Sequence, residues 1–113
     1  MTPAMFALLL ALSQGEQHGY GLAAAVERLT AGRVRLGAGT LYRTLQRLRV
    51  DGLIEETGAD AEAVRADRRA ERRRSYRITA AGRAAVTDEV AYLAGLLAGD
   101  AAQALLQERS TTR

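Results

Sequence analysis

A mainly α-helical domain that carries a two-stranded β-ribbon and ends in one long helix is what this sequence predicts, and three observations carry the prediction. Four separate segments read as helices, three of them with apolar residues at helical spacing, and two short strand-like runs, Leu53–Thr57 and Ser75–Thr79, stand between the third and the fourth. The third segment buries one stripe and arms the other with arginine. The last segment spaces Val86, Val90, Leu93 and Leu97 by four, three and four residues, which is the seam of a coiled coil.

Taken in order, Thr2 followed by Pro3 reads as a helix N-cap with proline at the first helical position. That helix runs to about Leu12, where Ser13-Gln14-Gly15 ends it. A second helix from about Gly19 to Leu29 places Leu22, Val26 and Leu29 on one face, and Thr30-Ala31-Gly32 closes it. In the third, around Gly39 to Leu48, Leu41, Leu45 and Leu48 share a stripe that must pack, while Thr40, Arg43, Thr44 and Arg47 share one that stays free. It ends at Asp51-Gly52, and the two strands follow. Between them residues 58–74 are polar and Ala-rich, with six arginines against four acids. Three helices followed by a ribbon with a long basic tip give a winged helix-turn-helix over residues 1–79.

Residues 80–113 then form a C-terminal dimerisation helix and tail, one compact unit with the rest. The helix spans Ala80 to about Ala98, and Gly99-Asp100 breaks it before a shorter apolar tail around Leu105 and Leu106. An exposed coiled-coil seam needs a cover. A second copy of the same helix is one, and folding back onto the apolar first helix is the other.

At 113 residues the chain is one domain. Its formal charge of +3 says less than its distribution, because residues 1–79 carry a net +4 and residues 80–113 a net −1. From Arg28 to Val50 there is no acid, while Arg28, Arg33, Arg35, Arg43, Arg47 and Arg49 supply six cations. Such a face attracts phosphates. Every cation is arginine, whose planar fork suits phosphates and guanine edges. There is no cysteine, and the apolar run Met5–Leu12 has no basic flank and is too short for a membrane span or a signal peptide. The expected location is the cytoplasm, with no membrane. One histidine, no P-loop and no dinucleotide fingerprint leave nothing from which to build an enzyme, a metal site or a cofactor site.

Within the basic face, Arg43 and Arg47 lie one turn apart and are the candidates for base edges, with phosphate clamping as the other role open to them. Gly39 lets the backbone approach a phosphate, and Thr40 either caps the helix or bonds a phosphate oxygen. Tyr42 either packs or offers its hydroxyl to the sugar-phosphate backbone. Arg35 joins the same face, and Arg72, Arg73 and Arg74 arm the ribbon. The partner is then double-stranded DNA; the alternative is a winged-helix interaction module whose arginine face meets an acidic protein.

Four motifs stand in register: His18-Gly19-Tyr20-Gly21; Gly39-Thr40-Leu41-Tyr42; Leu45-x-x-Leu48-x-x-x-Gly52-Leu53-Ile54; and Arg74-Ser75-Tyr76-Arg77-Ile78-Thr79-x-x-Gly82. Together they resemble the PadR family of transcriptional regulators, in its small subfamily with a single principal C-terminal helix. The resemblance implies a homodimeric, ligand-responsive repressor of a pseudo-palindromic operator, with its recognition helix in the major groove and its wing on the flanking backbone or minor groove. It also implies a phosphate contact for Tyr20. Some multidrug-sensing relatives stack flat drugs between tryptophans at the dimer interface, a mode closed to a chain without tryptophan.

If C-terminal and N-terminal helices meet across a two-fold axis, the small residues Ala85, Ala91, Ala94 and Gly95 leave room beside it. Met5, Leu8, Leu9, Tyr92 and Leu96 are then the expected walls of a site for a small hydrophobic effector, unless Tyr92 simply packs in the dimer core.

Overall fold

The computed structural model describes residues 1–57 and 74–111. It contains five helices and three strands among those residues: α1 (Pro3–Leu12), β1 (Gln17–His18), α2 (Gly19–Leu29), α3 (Ala38–Val50), β2 (Ile54–Thr57), β3 (Ser75–Ile78), α4 (Ala80–Ala98) and α5 (Asp100–Thr111). The architecture is a winged helix-turn-helix, mainly helical, as the sequence predicts.

The sheet differs from the expectation by one strand. Its order is β1-β3-β2, antiparallel throughout, with Gln17 opposite Tyr76 and Glu56 opposite the same residue from the other side. The two-residue β1 is too short to leave a periodicity in the sequence. It is held by its surroundings instead: the Gln17 side-chain amide donates to the Ala11 carbonyl at 3.1 Å, and the Gly19 amide donates to the Arg74 carbonyl at 2.8 Å.

One apolar cluster joins the elements, with Leu8, Leu9 and Leu12 of α1, Leu22 and Val26 of α2, Leu41, Leu45 and Leu48 of α3, Ile54, Tyr76 and Val86 all buried. The helix ends are tied as their residues suggest. The Thr2 hydroxyl accepts from the Met5 amide at 3.1 Å with Pro3 at the first turn. Gly52 turns the chain with φ +76°, and the Leu53 amide reaches the Leu48 carbonyl, closing α3. Thr79 then joins two elements. Its hydroxyl accepts from the Gly82 amide to cap α4 and donates to the Gly52 carbonyl at 2.7 Å, so the end of α3 and the start of α4 share one side chain.

Gly82 is required at this junction, because a Cβ there would lie 1.9 Å from the Leu53 carbonyl oxygen. The close approach lets α4 pack on α1 and β3. It also buries Val86 against its own chain at 3% exposure, so the four-residue seam predicted for a partner is reduced to Val90, Leu93 and Leu97. Past that point α4 leaves the core, and the molecule reaches 57 Å along its longest axis. The tail around Leu105 and Leu106 is itself a helix, α5, with no buried residue.

Candidate nucleic-acid interface

The start of α3 is open where the sequence makes it so. Gly37 is the N-cap and has no side chain with which to cap, and the first helical hydrogen bond is the Leu41 amide to the Gly37 carbonyl at 2.9 Å. The amides of Ala38, Gly39 and Thr40 therefore precede the bonded ladder at the positive end of the helix dipole, with no acid in the first turn. Thr40 is not the N-cap. It stands three residues inside, where its hydroxyl accepts from the Arg43 guanidinium at 3.5 Å and its carbonyl from the Thr44 hydroxyl at 2.7 Å. Among the described residues, no atom beyond the chain neighbours and the helix's own backbone lies within 4 Å of where a Cβ on Gly37 or Gly39 would sit, so the backbone there is open.

Along the outer face, Arg43 and Arg47 are exposed on successive turns. Arg47 pairs with Asp51 at 3.2 Å, and Arg35 with Glu27 at 3.4 Å. Both pairs are solvent-exposed, and such contacts contribute about 0–1 kcal/mol, so they yield readily to a stronger anion. The opposite stripe of α3, Leu41, Leu45 and Leu48, fixes the helix on the core.

The two tyrosines of the interface behave differently. Tyr42 is half-buried, its ring and hydroxyl close enough to α2 that a Cβ on Gly19 would sit 3.2 Å from either. Its packing role is thus built, and it explains the glycine of the His18-Gly19-Tyr20 motif. Tyr20 is exposed and stacks on His18, the ring centroids 5.4 Å apart and the planes 8° from parallel. The Ser75 hydroxyl lies 3.0 Å from His18 Nδ1, which ties that stack to the wing.

Between α3 and the wing lies a cleft of about 260 Å³ lined by Gly39, Tyr42, Arg43, Arg49, Glu56 and Arg74, among others. Glu56 was not among the residues singled out from sequence. One of its carboxylate oxygens receives Arg74 at 2.5 Å and Arg49 at 3.5 Å. The Arg74 side chain is only 18% exposed and is held by this pair; Arg72 and Arg73 lie outside the described residues. Tyr76 forms the floor, and burial, followed by the Glu56 carboxylate, pushes its hydroxyl pKa up from 10.0 to about 12.

Within a single protomer the expected effector walls stand apart, and the site expected of them needs a second copy of the chain. Leu8 and Leu9 are fully buried in the protomer's own core, because the apolar face of α1 that carries them is the one packed inward. Met5 is half-buried, while Tyr92 and Leu96 are exposed on the far part of α4. The apolar cleft that does exist, about 540 Å³, lies on a different side of α1, between Phe6, Leu10, Leu29 and Val34. Leu29 lines it instead of joining the core, which is where the second helix departs from its expected face. Among the described residues no cluster of histidine, cysteine or carboxylates could hold a metal, and no helix is long and apolar enough to cross a membrane.

Residues 8–88 match the profile of the transcriptional regulator PadR-like family. The chain is 42% identical over 79 residues to Transcriptional regulator Rv3488 of Mycobacterium tuberculosis, covering 68% of this chain and 63% of that protein. It is 35% identical over 122 residues to an uncharacterized 37.1 kDa protein in transposon TN4556 of Streptomyces fradiae, covering 88% of this chain and 31% of that one. The chain therefore spans about a third to somewhat under two thirds of the lengths of these relatives. Among solved structures, H. salinarum RosR superposes with a TM-score of 0.68 at 18% identity, covering 100% of this chain and 96% of that one, a likeness of fold.

Proposed function

Because the chain belongs to the PadR-like family of transcriptional regulators, we propose that it is a homodimeric, ligand-responsive repressor that reads a pseudo-palindromic operator with α3 in the major groove. The observation that carries the reading is the outer face of α3. Arg43 and Arg47 project from successive turns behind an uncapped helix start whose glycines leave the backbone open. Arginine forks there suit guanine edges, and the free amides suit a phosphate. Arg35 and Tyr20 flank this face and serve the backbone. Two recognition helices one DNA turn apart require a dimer, for which Val90, Leu93 and Leu97 supply an apolar strip that a monomer would leave in water. Met5, Tyr92 and Leu96 remain the side chains through which an apolar effector near the two-fold axis would change the spacing of the two helices. Such a protein works in the cytoplasm.

Arg43→Ala and Arg47→Ala test the reading. Each is expected to leave thermal unfolding unchanged and to weaken operator binding, by about 1–3 kcal/mol for an arginine that holds a base bidentately. Wild-type affinity in both variants would remove α3 from the groove.

A further inference from the structure

The cleft between α3 and the wing is cationic but not vacant. Arg43, Arg49 and Arg74 line it, and its one acid, Glu56, draws two of them together through a single carboxylate oxygen. Arg49 comes from the last turn of α3, Arg74 from the residue before β3, and Glu56 from β2. The carboxylate therefore links the recognition helix to both sides of the wing. Arg74 is incompletely satisfied by this arrangement: its Nε is buried and has no hydrogen-bond partner among the described residues. The Tyr76 hydroxyl accepts a further hydrogen bond from this guanidinium, and of its five donors the Nε–H is still unused. A phosphate group has the oxygens to serve both arginines.

We infer that this cleft is the seat of a DNA backbone phosphate and that Glu56 is its internal occupant, a carboxylate the phosphate must displace. Glu56 thereby sets affinity. Paired to it, Arg49 and Arg74 contribute a net single positive charge to the cleft, so a passing duplex gains little from them. A duplex that α3 has already seated brings its backbone against the pair and takes them over. The carboxylate penalises every duplex alike, whatever its sequence, so it lowers affinity without changing the ratio between sequences. It raises the threshold of binding, which a duplex that also satisfies Arg43 and Arg47 still clears. The inference rests on the duplex-binding reading above.

The test is Glu56→Gln in the full chain, compared with wild type for binding operator and random-sequence duplexes over a range of salt. The glutamine keeps the shape and removes the charge. The expected result is tighter binding of both duplexes, by about three- to tenfold near 0.1 M salt and by similar factors on the two, with a salt dependence steeper by about one unit in the log–log slope. Unchanged or weaker binding by a variant that melts like wild type would overturn the inference while leaving the duplex reading intact. Failure of wild type to bind any duplex would instead overturn the reading beneath it. Inorganic phosphate supplies the remaining arm. If Glu56→Gln gains affinity for free phosphate and none for duplex, the cleft is a small-anion site and the assignment to the DNA backbone is wrong.

Discussion

Tyr76 shows how one buried residue ties the core to the interface. Its ring is in the apolar cluster and its hydroxyl lies under the Arg74–Glu56 pair, so the folded protein holds its proton to a pKa of about 12 against 10.0 in the unfolded chain. Below pH 10.0 both states are protonated and the group leaves stability unaffected. As pH rises from there, the unfolded state ionises first and stability falls until the folded pKa is passed. Tyr76→Phe keeps the ring and removes this contribution. Urea midpoints on the two sides of pH 10.0 are therefore expected to fall less steeply for the variant than for wild type. At this scale the sequence is legible where charge is patterned locally. Arg43 and Arg47 stand out because no acid lies between Arg28 and Val50. Glu56 does not, because the cations it pairs with stand seven and eighteen residues away and meet only when the wing closes.

Among the elements, the long periodic ones follow from spacing alone. The leucine stripe of α3, the Thr2-Pro3 start of α1 and the Gly52 stop stand where the pattern puts them. The departures have physical causes. The cap of α3 lies at Gly37, ahead of Thr40, because a glycine N-cap has no side chain to announce it. Strand β1 exists through pairing with β3 and not through any pattern of its own. In α4 the heptad spacing is real, but Gly82 brings the helix so close to Leu53 that Val86 is consumed by the intramolecular core. The strip beyond it is what a partner would cover. Leu97, at 59% exposure, is the position where a charge tests this without entering the core. Wild type is expected to sediment as a dimer at micromolar concentration, and Leu97→Asp as a monomer with unchanged helical content. Equal sedimentation of the two would place the dimer contact elsewhere.

Over the described residues, charge and apolar surface are unevenly distributed. The acid-free arginine run lies on α3 and the adjoining loop, and six of the ten large exposed apolar residues lie along α4 and α5, although Tyr20, Leu29 and Val50 are exposed on α2 and α3. This division is visible in the sequence as a net +4 over residues 1–79 against −1 over residues 80–113. The least legible feature is which face of α1 turns inward and buries Leu8 and Leu9, since it depends on the packing of α2 and α4. The most direct measurement of the central claim, that the α3 face binds DNA as a polyanion and reads it in duplicate, is operator affinity against salt concentration. Each phosphate neutralised contributes about −0.9 to the log–log slope, so a dimer with two or more contacts per half gives a slope of about −3.6 or steeper. A slope near zero, or equal affinity for a scrambled duplex at every salt concentration, would contradict it.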